Sequence, residues 1–155
     1  MRVSELMAKK VASCSERDTL ADAARMMAEV DCGVIPVVGP AREPIGIVTD
    51  RDICLAACWI GKPLTEILVR VAMTAPVRTC SADATTSEAE YVMREARVRR
   101  LPVVDAGGAL VGVVSLADLA LEAKHERRLS VPALDQIEIG ATLAAICSPR
   151  PAARE

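Results

Sequence analysis

Two kinds of apolar pattern alternate along the chain. Leu20, Ala23, Ala24, Met27 and Val30 recur at helical spacing, with Asp22, Arg25 and Glu29 on the other side. That pattern predicts an amphipathic helix, capped by Thr19 and running to about Val30. Val34-Ile35-Pro36-Val37-Val38 and Ile45 to Thr49 are instead short β-branched runs joined through Gly39, Pro40 and Pro44, and they read as a hairpin. Pro36 has no N–H to give a ladder, so it belongs at a strand start, an edge or a bulge. Asp50 to Ile60 follows as a second helix closed by Gly61 and Pro63. Ahead of these elements, Val3 to Met7 reads as a helical turn and Val11 to Cys14 as a short strand. Gly33 reads as the chain reversal after the first helix.

The pattern then starts again. A shift of 66 aligns Met7 with Met73, Cys14 with Cys80, Thr19 with Thr85 and Met27 with Met93. It also aligns Pro36-Val37-Val38 with Pro102-Val103-Val104, Gly46 with Gly112, and Asp52 with Asp118. No gap is needed from Val3 through Ala57, and 17 of those 55 positions are identical. Unrelated segments of ordinary composition agree at roughly 5–10%, so the chain contains an internal duplication. The expected fold is α/β: two β-α-β-β-α repeats packed by pseudo-two-fold symmetry into one module, because neither repeat alone buries both faces of its sheet. The expected boundaries are 1–61 for repeat one, 62–68 for a connection, 69–128 for repeat two and 129–155 for a tail. Within the tail, Ser130 to Gly140 reads as irregular, Ala141 to Cys147 as a short helix, and Pro149 to Glu155 as frayed.

Composition narrows the chemistry. Hydrophobic residues make up 52% of the 155 positions, with one Trp, one Tyr and no Phe, and the net charge is −2. Single-stranded nucleic-acid binding usually relies on aromatic faces beside a basic groove, and two aromatic residues with a net charge of −2 argue against it. No apolar run approaches the ~20 residues of a membrane helix, and Met1 to Glu5 lacks the pattern of a secretory signal, so a cytoplasmic protein is expected. Cys14 and Cys80 end equivalent strands and read as buried small hydrophobes. Cys54 and Cys58 share a helix face, but there is no Cys-x-x-Cys and the single histidine, His125, is distant in sequence. No metal site is expected. His125 itself stands in a charged helix end and reads as solvent-facing. No Ser-His-Asp set or phosphate loop is present, so no catalytic residues are assigned.

The candidate chemistry lies at the strand-to-helix junctions, Gly46-Ile47-Val48-Thr49-Asp50-Arg51-Asp52 and Gly112-Val113-Val114-Ser115-Leu116-Ala117-Asp118. Two readings stand side by side. A hydroxyl followed three positions later by an acid forms a capping box, which needs no ligand. The same helix start offers free amides and a positive dipole end for phosphate, and an aspartate able to accept both hydroxyls of a ribose. Gly46 and Gly112 admit a ligand or a neighbouring backbone close to the strand. Bulges at Pro36 and Pro102 are expected to leave backbone groups free to read a base.

These residues resemble a tandem pair of CBS (cystathionine β-synthase) domains, a Bateman module of the stand-alone type, over about Val3 to Ala123. The resemblance implies a regulatory module that binds adenosine-containing ligands: AMP, ADP, ATP or S-adenosylmethionine. It implies that the hydroxyl residues Thr49 and Ser115 contact phosphate or ribose and that Asp52 and Asp118 hold the ribose hydroxyls. The residues themselves add Ile35 and Pro36 in repeat one, and Arg99, Arg100, Leu101 and Pro102 in repeat two, as candidate ligand contacts. The resemblance also implies a homodimer built through helices, here Ile53 to Ile60 and Leu116 to Leu121, and an effector protein as partner. Trp59 reads as a packing or dimer contact. The repeats differ where phosphate is expected, with Arg99 and Arg100 in repeat two against Gly33 and Val34 in repeat one. Two guanidiniums favour an anion, whereas Asp50 in repeat one repels it, with Arg51 beside it as an offset. Two other classes remain open: a scaffold whose nucleotide sites are inactive, and a thiol- or metal-responsive protein using Cys54 and Cys58.

Overall fold

The computed structural model describes residues 1–126 and 136–147. Repeat one runs α1 (Val3–Leu6), α2 (Leu20–Glu29), β1 (Val34–Val38), β2 (Pro44–Thr49) and α3 (Asp50–Ile60). Two 3-10 turns, Leu64–Glu66 and Val69–Val71, fill the stretch that follows. Repeat two runs β3 (Cys80–Ser81), α4 (Thr86–Ala96), β4 (Arg100–Val104), β5 (Leu110–Ser115) and α5 (Leu116–Glu126), and α6 (Gln136–Cys147) comes last. The α/β class and the duplicated layout are as the pattern predicts.

Each principal helix starts for a local reason. Thr19, Thr49 and Thr85 each stand in extended backbone and accept from the amide three residues on, while the acid there reaches back to the cap amide. Gly61 ends α3 at φ 66, a left-handed conformation that suits glycine. After α2 and α4 the left-handed position is taken instead by Asp31 (φ 49) and Arg97 (φ 52), which are 66 apart. The reversal expected at Gly33 is therefore made two residues earlier. Val30 is the C-cap of α2, not part of its inner face, and is 50% exposed.

The strand expected over Val11 to Cys14 is reduced to one parallel bridge, Cys14 to Val37. Cys14 N–H donates to the Pro36 carbonyl at 3.1 Å and Val38 N–H to the Cys14 carbonyl at 2.9 Å. Pro36 faces Ile47 in the β1–β2 ladder, and Ile47 spends both backbone groups on Thr74, at 3.0 and 2.8 Å. Proline therefore sits where no N–H is called for. The register shift falls between Val37 and Val38, not at Pro36 as expected.

Two compact units form, and their boundaries follow packing, not the repeats. One comprises 1–9, 80–103 and 112–155, the other 10–79 and 104–111. The exchange is reciprocal: Arg2 bridges to Thr85 as Leu68 bridges to Thr19, and Ala8 to Val113 as Thr74 to Ile47. Each repeat thus lends its lead-in segment to the other's unit. Leu20, Met27, Ile35, Val37, Val48, Ile53 and Val69 are in the core of the second unit, and Met93, Leu101, Val114 and Leu119 are buried in the first.

Helix α6 begins at Gln136, so residues 136–140 are helical where irregular chain was expected. The expectations for Arg127 to Asp135 and Pro149 to Glu155 fall outside the described residues, as does the setting of the His125 side chain.

All six cysteines are free. Burial pushes the Cys14 and Cys80 thiols up from the ordinary 9.0 to about 11, with the nearby Asp18 charge adding to the effect at Cys14. A raised folded-state pKa stabilises fully below about pH 9, and that contribution is lost as pH rises through about 11. Brief alkylation at pH 8 is expected to label Cys54, Cys58 and Cys147 and spare Cys14 and Cys80. The urea midpoint is expected to fall between pH 9 and pH 11. Equal labelling of Cys14 and Cys54 would contradict the burial.

Candidate functional site

Both motif junctions carry the same hydrogen-bond set. The Thr49 amide and hydroxyl donate to Asp52 Oδ2 at 2.9 and 2.7 Å, and the Asp52 amide donates back to Thr49 Oγ1 at 3.2 Å. In repeat two the Ser115 amide and hydroxyl reach Asp118 Oδ2 at 2.9 and 2.6 Å, with the return bond at 3.2 Å. The same device starts α2 and α4, outside the motif, so capping alone accounts for a hydroxyl and an acid at these positions. What the geometry leaves for a ligand is Oδ1 of each aspartate, which has no hydrogen bond among the described residues. Each hydroxyl proton is already committed to a carboxylate, so a phosphate takes it only by displacing that bond.

The strand residues assigned to the sites lie inside. Ile35 is 1% exposed and Leu101 0%, and Pro36 and Pro102 are buried beside them. Their side chains are core, and the Pro36 carbonyl is occupied by Cys14. Only backbone is left for them to offer a ligand.

The structure does bring Arg99, Arg100 and Ser115 together. They line a cleft of about 290 Å³ with Leu116, Ala117 and Ala120 of α5 and Ile139 and Leu143 of α6. Both arginines are exposed, and neither forms an ion pair among the described residues. The Leu116 amide donates to the Arg99 carbonyl at 2.9 Å, fixing the arginine backbone to the start of α5. Asp118 is bonded to Ser115 and does not itself line the cleft.

The equivalent place in repeat one is built differently. The Asp50 amide donates to the Gly33 carbonyl at 3.2 Å, the counterpart of the Leu116–Arg99 bond. Its carboxylate lies over Gly33, where an added Cβ would stand 2.7 Å from Oδ2. A carboxylate thus lies against the residue that is the counterpart of Arg99 in repeat two. Asp52 lines a separate cleft of about 210 Å³ with Leu55, Ala56, Trp59, Ile60, Val71 and Ala72. Thr49, Ile35 and Pro36 are not among its walls.

Sequence reasoning missed the contribution of α6, because no motif marks Ile139 or Leu143. An apolar stretch beyond the second repeat was the one available signal. Cys54 and Cys58 are exposed on α3, and among the described residues no three metal-binding side chains cluster.

Fold and junctions together define a tandem-repeat α/β module with a hydroxyl–acid helix start in each half. The chain belongs to the CBS domain family, which matches residues 3–57 and 65–125. It is 34% identical over 146 residues to Hypoxic response protein 1 of Mycobacterium tuberculosis, covering 94% of this chain and 93% of that protein. To an uncharacterized protein of Methanopyrus kandleri it is 35% identical over 117 residues, 76% of this chain but 60% of the relative's length. Its fold is similar to a crystal structure of Hypoxic Response Protein I with two coordinated zinc ions, with TM-score 0.71 and 32% identity over 78% of this chain and 98% of that one. It is also similar to CBSX2 of Arabidopsis thaliana in complex with AMP, with TM-score 0.69 and 22% identity over 82% of this chain and 98% of that one. No helix among the described residues is long and apolar enough to cross a membrane.

Proposed function

We propose that this protein is a regulatory module that binds an adenosine-containing ligand, with the second repeat selecting a phosphorylated nucleotide (AMP, ADP or ATP) over S-adenosylmethionine. The observation that carries the reading is the cleft in which Arg99, Arg100 and Ser115 meet the amino end of α5. Guanidiniums and the positive dipole end of α5 both favour an anion. Asp50 over Gly33 disfavours the same ligand in repeat one. The AMP complex of CBSX2, a protein of the same fold, supports the ligand class.

The module acts without a catalytic step. Ligand shifts its packing and so its recognition of an effector protein, by as much as it binds one arrangement better than another. Exposed apolar side chains on α3 (Trp59, Ile60) and α5 (Leu121) suit a homodimer contact through these helices. Six free cysteines suit a reducing compartment such as the cytoplasm.

Thermal melting with millimolar AMP, ADP, ATP and S-adenosylmethionine tests the reading. A nucleotide at about 100 times its Kd stabilises by about 2.7 kcal/mol, which for a chain of this length raises Tm by several degrees. The largest shifts are expected from the phosphorylated ligands. No shift from any of the four would favour a scaffold with inactive sites. A shift with zinc alone, lost in Cys54→Ser, would favour a thiol-responsive protein.

A further inference from the structure

The cleft beside Arg99 and Arg100 has two chemically distinct sets of lining residues. One is cationic and polar: Arg99, Arg100 and Ser115. The other is apolar: Leu116, Ala117 and Ala120 of α5 with Ile139 and Leu143 of α6. Two of these five apolar residues come from a helix outside both family-matched segments, the second of which ends at residue 125. Helix α6 is apolar on nearly every side, Gln136-Ile137-Glu138-Ile139-Gly140-Ala141-Thr142-Leu143-Ala144-Ala145-Ile146-Cys147, and it packs against α4 and α5. Ile139 and Thr142 are buried by this packing, Leu143 is half exposed at the cleft, and Ile137 faces outward at 79% exposure.

Resting on the nucleotide reading above, we propose that α6 is the third wall of the second-repeat site. It receives the ligand's base against Ile139 and Leu143, and its docking is the element that ligand controls. A bare anion uses only the cationic set. A phosphate joined to a flat, largely apolar base uses both sets and touches α6 only while α6 is docked. Such a ligand stabilises the docked helix by its differential affinity, and by reciprocity weakened docking weakens the ligand. The docking is also imperfect. Thr142 Oγ1 is buried without a hydrogen-bond partner among the described residues, which subtracts from the hold that the apolar contacts give. A helix held in this way suits a switch.

The test uses the full chain: AMP titrations of wild type, Leu143→Ala and Ile137→Ala, with hydrogen exchange of residues 136–147 measured with and without saturating AMP. Leu143→Ala is expected to lose about three- to tenfold in AMP affinity, from the apolar contact removed at a half-exposed site. Ile137→Ala, on the same helix but away from the cleft, is expected to bind as wild type. Amide exchange in α6 is expected to slow several-fold with AMP. If wild type binds AMP but Leu143→Ala binds equally well, or α6 exchange ignores AMP, the α6 proposal falls and the nucleotide reading stands. If wild type binds no nucleotide, both fall.

Discussion

Gly112→Val is expected to destabilise the protein by about 1–3 kcal/mol, and by more than Gly46→Val. A Cβ at residue 112 would stand 2.5 Å from Met7 Sδ and 2.9 Å from the Ala8 carbonyl oxygen. At residue 46 the corresponding distances are 2.9 Å to Met73 Sδ and 3.2 Å to the Thr74 carbonyl oxygen. A methionine can swing aside at modest cost. The Ala8 backbone cannot, because it exchanges two hydrogen bonds with Val113 at 2.9 and 3.0 Å, and retreat would break both. The motif glycines therefore admit a neighbouring backbone, the lead-in segment that each repeat lends to the other's unit. Urea denaturation of the two variants beside wild type measures the effect as a fall in midpoint. A Gly112→Val protein as stable as wild type would contradict this packing.

The second large effect concerns the arginines. A hydrogen bond to a charged group contributes about 1.5–3 kcal/mol, and two guanidiniums at an exposed cleft fall toward the lower end after solvent screening. Removing both in Arg99→Ala/Arg100→Ala is expected to weaken AMP binding by about 10- to 100-fold. Adenosine carries the same base and ribose without the anion, so its affinity is expected to move by less than about threefold. The variant is expected to fold normally, since both side chains are exposed and neither holds an ion pair among the described residues. An exposed arginine carries little of the packing.

The local elements were legible because local forces set them. The start and end of α3 follow from Thr49, Asp52 and Gly61, three residues whose capping chemistry is written in their types. The shift of 66 predicted equivalent caps and equivalent strands, and it extends to details no motif names, such as Asp31 and Arg97 in left-handed backbone. What stayed hidden depends on partners distant in sequence. The bridge from Arg2 to Thr85 spans 83 positions, and no periodicity in either segment announces it. Val11 to Cys14 looked like a strand because its residues favour one, but only Cys14 finds a partner. At the site, the hydroxyl–acid pairs read as both cap and ligand candidate; the cap is what the geometry shows, while the arginines mark the repeats as unequal. Ile139 and Leu143 were invisible there, since an apolar helix beyond the repeats does not say what it packs against.

Calorimetric titration with AMP and adenosine decides whether one cleft, at Arg99 and Arg100, prefers a phosphorylated nucleotide. One dominant AMP site per chain is expected, tighter than adenosine in wild type, with that advantage removed in Arg99→Ala/Arg100→Ala. Two equal AMP sites per chain, or an equal loss for AMP and adenosine in the double variant, would contradict that preference.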